Sequence, residues 1–351
     1  MRITANFQIR LEIIIFLWFI FRLFLSGTML SASAVIDSTR LREFDQIQDH
    51  YNNEDFAVAD SLCKVFMAEQ RSDPLGYLMM AVLRMTEMTD REESLYGTEF
   101  LALIDTVNIL GEELAKNGDK PTQAWAHLIM GHARGYRSLW EGRFGSFLSA
   151  LKLGARARDE YEKGLELDST LYDLHSGLGS YRYWKSSKVG VLRSIGLFKD
   201  EREEGIAELQ IAVRSSLISR ESAKRGLIWI WLDYKQYDSA YAIAAELHTK
   251  YPDCKAFVWA MARASYFKGD YQTSLGHFEW LKERLSRDPG NYFNLVESSS
   301  QVVHCLEELG RDEEAQQEAA MAVQFLSLVP KETLKRQKEH VSYLREESKT
   351  E

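Results

Sequence analysis

The sequence predicts an all-α protein, an α-solenoid of stacked antiparallel helix pairs, and three observations lead to this expectation. The 351 residues include only five prolines and 21 glycines, so long stretches are free of the residues that break helices. Apolar side chains recur at intervals of three and four residues, as they do on one face of an α-helix. Similar segments also return at a fixed offset, which is typical of repeat proteins.

The N-terminal segment 1–34 is interpreted as a targeting signal that lies outside the fold. A basic start precedes an apolar run from Ile13 to Leu25, and Ala32 and Ala34 follow as a small-residue cleavage site. These three parts together predict a secretory signal peptide. We therefore expect an exported protein, periplasmic or associated with the cell envelope.

Two alternatives for this segment stay open. The apolar run is shorter than the roughly 20 residues that span a bilayer, but it could remain uncleaved and anchor the protein, which is the one way in which we expect the protein to meet a membrane. Translation could also start at Met29, and the shorter product would be cytoplasmic.

Seven helix pairs account for most of the remaining chain. The prolines stand beside segments of helical periodicity and never inside one, because proline is excluded from helix interiors but accepted in first turns. Within one pair, a Lys-Gly-Asp turn at 268–270 separates two apolar stripes. Each stripe is only about four turns long, so neighbouring helices must stabilise one another by packing. The predicted pairs occupy residues 39–71, 74–117, 121–167, 170–217, 221–251, 254–288 and 291–329.

The clearest repeat relates residues 236–240, QYDSA, to residues 270–274, DYQTS, at an offset of 34 residues. A similar pattern stands at residues 55–59, DFAVA, and Pro252 follows a predicted helix end. In these features the chain resembles tetratricopeptide repeats, in a degenerate form. The resemblance implies a right-handed superhelix whose first helices line a concave groove for a peptide or a partner protein.

The chain after the signal divides into three predicted parts. The N-terminal hairpins diverge from the repeat, since the spacing between Pro74 and Pro121 implies longer helices. After the last pair, a single helix at 331–347 carries a narrow apolar stripe, which leaves the polar outer face that the end of a solenoid needs. The predicted division is 1–34 signal peptide, 35–120 divergent helical hairpins, 121–330 repeats with an insertion at 185–199, and 331–351 capping helix and tail.

The centre of the chain combines aromatic and basic residues in a protein that is acidic overall, with a net charge of −9. The insertion 185–199 is both basic and apolar, and loops of this kind often carry function. Core packing of the aromatic rings is the alternative, but successive helical residues turn by about 100°, so Tyr181, Tyr183 and Trp184 cannot all face inward. The candidate partner-binding residues are Arg137, Tyr181, Arg182, Tyr183, Trp184, Lys185, Lys188 and Arg193.

Several function classes are disfavoured by composition and motifs. The net charge of −9 argues against a nucleic-acid partner. Three cysteines without paired spacing argue against a disulfide framework or a structural zinc site. The sequence has no recognisable catalytic or nucleotide-binding motif, so we expect no catalytic residue, no metal and no cofactor.

The sequence therefore predicts a non-catalytic protein–protein interaction scaffold or assembly factor of the cell envelope, which binds a peptide or partner protein of acidic character in the concave groove. The alternative is a small-molecule-binding or hydrolytic enzyme whose central pocket contains His175, Tyr181 and Trp184 under a lid formed by residues 185–199. An open groove would favour the first function, and a closed pocket with a perturbed pKa would favour the second.

Overall fold

The computed structural model of the protein describes residues 36–188 and 199–349, and the regular elements of this part are all helical. The first eight helices are α1 (Ser38–Asn52), α2 (Phe56–Glu69), α3 (Pro74–Arg91), α4 (Gly97–Asn117), α5 (Lys120–Phe144), α6 (Phe147–Leu167), α7 (Leu174–Lys188) and α8 (Arg202–Ser215). The second eight are α9 (Arg220–Asp233), α10 (Tyr237–Lys250), α11 (Lys255–Phe267), α12 (Tyr271–Ser286), α13 (Tyr292–Glu308), α14 (Asp312–Phe325), α15 (Lys331–Arg336) and α16 (Lys338–Glu347). None of these helices is both long and apolar enough to cross a bilayer.

The helices pack in chain order. Each helix from α1 to α13 contacts the helix that follows it, and the first helices α3, α5, α7, α9 and α11 also contact one another in succession. This arrangement is an all-α solenoid, so the predicted fold class is confirmed. Each of the seven predicted spans holds one helix pair, while the division into divergent and regular parts stays a prediction.

Local chemistry explains where the helices begin. Asp73 accepts a hydrogen bond from the backbone N–H of Leu75 at 2.9 Å, and Pro74 occupies the first turn of α3, where its missing N–H costs nothing. In the predicted turn between α11 and α12, Gly269 adopts a φ of +79°, a left-handed conformation that favours glycine. Asp270 then accepts from Thr273 N at 3.2 Å and caps α12.

The predicted single capping helix at 331–347 is wrong in one respect, since the structure divides it into α15 and α16 at Gln337. The side chain of Gln337 is buried, and its Nε2 donates to the carbonyl oxygen of Phe293 at 3.0 Å. The break between α15 and α16 thus falls at the residue whose side chain contacts α13.

Three apolar cores follow one another along the array. The first extends over residues 36–178 and includes Ile218, the second over 183–230, and the third over 228–344. The first and third cores share no residue among those described. The two ends of the array are therefore joined by something other than a common apolar core.

Polar contacts join them. Asp49 accepts from the hydroxyl of Tyr251 at 2.7 Å, and the carboxylate of Glu54 binds both the backbone N–H and the ammonium group of Lys255. We call the contacts of residues 49–54 and 90–92 with residues 250–255 and 288–294 the closing seam. The solenoid curls until its first two pairs meet its fifth, sixth and seventh pairs.

Further contacts extend the seam along the end of α3. Arg91 binds the carboxylate of Asp288 at 2.9 Å. The side-chain amides of Asn291 and Asn294 both donate to the carbonyl oxygen of Asp90, at 3.0 and 2.5 Å. The seam is thus built from side chains that lie about 200 positions apart in the sequence.

Helix α1 occupies the side of the array on which the first helices lie. Its residues Gln48 and Tyr51 line a small cavity of about 50 Å³ together with His132 and Tyr136 of α5 and with Ser219 at the start of α9. The same helix packs on α3 in the first apolar core. The open concave groove that we expected is therefore filled here by the chain itself.

Candidate partner-binding surface

Two glycines bring α7 and α8 into backbone contact. A Cβ atom added to Gly179 would stand 2.5 Å from the carbonyl oxygen of Gly205, and one added to Gly205 would stand 2.6 Å from the carbonyl oxygen of Gly179. Neither position accepts a larger residue without separation of the helices. This close crossing places the side chains of α7 directly against the carboxylates of α8.

Tyr183 is a core residue. Its side chain has no exposed surface, and its hydroxyl donates to Asp233 at 2.7 Å with a second contact to the carbonyl oxygen of Ile230 at 3.3 Å. The hydrogen bond to the Asp233 carboxylate and the burial both raise the pKa of the phenol, burial most. Tyr183 cannot contact a partner in this arrangement, and its assignment as a binding residue is corrected.

Tyr181 and Trp184 are partly exposed, as expected from the turn of the helix. The Tyr181 ring lies between two cations, with the Arg158 guanidinium 5.5 Å and the Lys185 Nζ 5.7 Å from its centre. The Lys188 Nζ stands 5.3 Å from the centre of the Trp184 ring. We call Arg158, Tyr181, Trp184, Lys185 and Lys188 the α6–α7 strip, a partly exposed row of cation–π contacts.

Most of the predicted cations have a carboxylate partner within the chain. Arg182 binds Glu208 of α8, and Lys185 binds Glu201. Arg137 binds Asp105 of α4 at 3.1 Å. Because Arg137 and Arg182 are directed to different helices, α4 and α8, they do not form the common basic centre that the sequence predicted.

Lys188 is exposed at the end of α7, and no ion pair of it is present in the described part of the chain. Arg193 and the other residues of 189–198 lie outside the described residues. Of the predicted insertion 185–199, the first four residues belong to α7. The basic character of this surface thus rests on Lys188 and on cations that are already paired with carboxylates of the chain.

A polar cluster lies beneath the strip, between α7 and α8. Burial raises the pKa of the Glu208 carboxyl to about 7, although the Arg182 guanidinium opposes the shift. Burial and the Arg182 charge lower the pKa of His175, whose Nδ1 lies 3.9 Å from a Glu208 oxygen. The buried cavity lined by His132 lies between α1, α3 and α5 and not at this cluster. Residues 189–198 of the predicted lid lie outside the described part of the chain, so the alternative of a lidded pocket at His175, Tyr181 and Trp184 stays a prediction.

Arg158 is a member of the strip that the sequence-based prediction missed. Its guanidinium lies near Tyr181 where α6 and α7 pack at Gly154, and an added Cβ at Gly154 would stand 3.6 Å from the same ring. A glycine inside a predicted helix, one turn before an arginine, was the available signal. That signal does not say which neighbouring helix the glycine faces.

Comparison with known proteins gives a limited result. No family model matches the sequence, and no curated protein matches it either. Among solved structures, the chain is similar to a tetratricopeptide repeat protein from Parabacteroides merdae ATCC 43184, with 11% identity, a TM-score of 0.38, and coverage of 88% of this chain and 100% of that one. So distant a likeness carries no argument about function. The fold is assigned from helix order and packing: this chain is an all-α solenoid of stacked antiparallel helix pairs.

Proposed function

We propose that the protein is a non-catalytic scaffold that binds a partner protein or peptide on the α6–α7 strip. The observation that carries the proposal is the partly exposed Tyr181 ring between the cations of Arg158 and Lys185, with Lys188 over Trp184 beside it. Aromatic rings and arginine are the residues most often found at the energetic centre of protein interfaces. A row of them on one surface is therefore a suitable anchor.

The strip is a better candidate than the inner side of the array. Helix α1 packs on the inner side against residues of α3, α5 and α9. A partner could bind there only after displacing about four turns of the protein's own helix. On the strip no such displacement of a described helix is needed.

The partner that fits this surface carries carboxylates next to apolar groups. Lys188 has a free ammonium group in the described part of the chain, and Lys185 and Arg158 could exchange an internal carboxylate for an external one. Charge-assisted hydrogen bonds of this kind contribute about 1.5–3 kcal/mol when partly shielded from water. Acidic segments of a partner protein meet this description.

We further propose that the protein works in the cell envelope. The support is the apolar run 13–25 followed by Ala32 and Ala34, all within a segment that lies outside the described residues. N-terminal sequencing of the protein purified from its own cells should begin at Val35. A product that begins at Met29 and stays in the cytoplasm would remove this part of the proposal.

Site-specific photocrosslinking tests the binding surface. A photoreactive residue replaces Tyr181, or Tyr237 of α10 as the control. Intact cells that produce the variant are then irradiated. We expect one discrete crosslinked protein from position 181 and none from position 237. Lys188→Glu should reduce that product about fivefold or more, since the loss of roughly 1 kcal/mol corresponds to this factor.

The matched charge control is Lys331→Glu, because Lys331 is equally exposed but lies at the start of α15. It changes the net charge by the same amount and should leave the crosslink intact. Equal products from positions 181 and 237, or equal losses in the two charge variants, would contradict binding on the strip.

A further inference from the structure

Four large apolar side chains are exposed around the turn between α5 and α6. Leu139 is 59% exposed, Phe147 60%, Leu148 77% and Leu151 42%. We call these four residues the hairpin tip. Single exposed apolar residues are ordinary, but a group of four at one turn is the kind of patch that marks an interaction site.

The tip lies at one end of the α5–α6 hairpin. Helix α6 has 21 residues whereas α7 has 15. Near their other ends the two helices are in antiparallel contact, with Leu174 against Gly164 and Tyr181 against Gly154. Continuing this register brings the end of α7 beside the first turn of α6, so Phe147 and Leu148 stand at the far end of the hairpin.

The apolar tip continues into a basic stripe on the same face of α6. Leu148, Lys152 and Arg156 follow one another at intervals of four residues, which places them above one another on a helix. Lys152 and Arg156 are exposed, and neither has an ion pair in the part of the chain that the structure describes.

The carboxylates nearest to the turn are already engaged. Glu141 accepts a hydrogen bond from the backbone N–H of Ser146 at 3.0 Å within the turn itself. Arg143 is paired with Glu92 at 2.7 Å on the other side of α5. In a chain of net charge −9, the face that bears Lys152 and Arg156 is thus locally positive.

From this arrangement we propose that the hairpin tip docks on the surface of an anionic phospholipid bilayer. Phe147 and Leu148 enter the boundary between headgroups and acyl chains, while Lys152 and Arg156 contact lipid phosphates. The inference is independent of the proposed scaffold function, since it uses a different surface.

Charge and size favour a lipid surface over a protein partner. A stable protein interface buries about 800 Å² on each side, whereas the tip consists of four side chains. Insertion of a few apolar residues combined with nearby Lys and Arg is the general requirement for peripheral attachment to anionic membranes. The negative charge of the rest of the chain would keep the other faces away from the same surface.

A local probe tests the proposal in the full chain. The native cysteines Cys63, Cys254 and Cys305 are all buried, so Leu148→Cys can be labelled selectively with an environment-sensitive fluorophore. The probe is mixed with vesicles of phosphatidylcholine alone or with 30% phosphatidylglycerol. We expect a blue shift and quenching by brominated lipid only with the anionic vesicles.

Two further variants make the result specific. Met321→Cys is the matched control, because Met321 is a 55% exposed apolar residue on α14, and its label should not respond. Adding Lys152→Glu and Arg156→Glu to the labelled Leu148→Cys protein should weaken the vesicle response at least tenfold. Equal responses at positions 148 and 321 would indicate attachment through another part of the chain and overturn the proposal.

Two other outcomes also overturn it. A label at position 148 that is shielded before vesicles are added would mean that the tip is covered by the chain itself or by a second copy. A label that stays exposed and unresponsive with every vesicle would mean that the tip does not meet lipid. Far-UV circular dichroism of each variant confirms that these surface substitutions leave the helices in place.

Discussion

Lys255 at the start of α11 lies buried between two carboxylates from the N-terminal pairs. Its Nζ binds Glu54 and stands 3.2 Å from an Asp90 oxygen, and its backbone N–H donates to Glu54 at 2.7 Å. Burial, together with the neighbouring Asp90 charge, raises the pKa of Glu54. Replacing Lys255 by methionine keeps most of the buried apolar part of the side chain. It removes the ammonium group, which is the only cation between these two carboxyl groups in the described part of the chain.

The expected loss follows from the geometry. At 3.2 Å and an effective dielectric constant of about 20, one ion pair corresponds to roughly 5 kcal/mol of Coulomb energy. Desolvation of the lysine offsets part of this energy in the native protein. Breaking a buried pair typically costs about 3–5 kcal/mol because an uncompensated charge remains. Since Glu54 can take up a proton in the variant, we expect a loss of free energy of unfolding at the lower end of this range, about 3 kcal/mol.

Urea unfolding followed by far-UV circular dichroism at pH 7.5 measures this loss. The control is Lys268→Met, because Lys268 pairs with Asp238 at an exposed position, where water screens the ion pair and its loss should change stability little. Lowering the pH should narrow the gap between Lys255→Met and the native protein, since protonation discharges Glu54 and Asp90. Equal, small losses in the two variants, or a gap that widens at low pH, would refute the reasoning.

Two further predictions concern the interior of the array. Burial lowers the pKa of His132 to about 4, so this residue stays neutral in the folded protein while it gains a proton in the unfolded chain below about pH 6.5. The free energy of unfolding should therefore fall as the pH drops from 6.5 to 4, by up to about 3 kcal/mol more in the native protein than in His132→Gln. Urea unfolding of both proteins across this pH range measures the difference. If the free energies of the two proteins change in parallel with pH, this account is contradicted. Gly177→Ala should cost about 3 kcal/mol, because its Cβ would stand 2.0 Å from the buried Tyr161 ring, whereas Gly276→Ala, with open space around it, should stabilise α12 by about 0.5–1 kcal/mol. Thermal unfolding compares the pair, and a destabilised Gly276→Ala or a neutral Gly177→Ala would show that the packing differs from the structure.

The positions of the helices were predictable because helix formation is local. Backbone hydrogen bonds join residues four apart, so prolines, caps and apolar stripes mark α11 and α12 in the sequence itself. The prediction failed at Gln337, where the break between α15 and α16 coincides with a side-chain hydrogen bond to Phe293 of another helix. No local pattern in the sequence announces such a contact.

The candidate surface was predictable only in part. The turn of α7 required that Tyr181, Tyr183 and Trp184 face different directions, but it could not say that Tyr183 is the buried one. That choice depends on the close approach of α8 and on Asp233 of α9, which accepts the Tyr183 hydroxyl. The pairing of Arg182 with Glu208 likewise depends on which residues α8 presents at the crossing.

By itself, the sequence determined the fold class, the seven helix pairs and the acidic character of the chain, since each follows from composition and short-range spacing. The curvature that closes the array was decided by the tertiary structure alone. Small angles between successive pairs add up along the chain until Glu54 and Asp90 meet Lys255, about 200 and 165 positions away. A buried lysine is indistinguishable from an exposed one in a sequence. Contacts between residues so far apart also produce no periodic pattern from which they could be predicted.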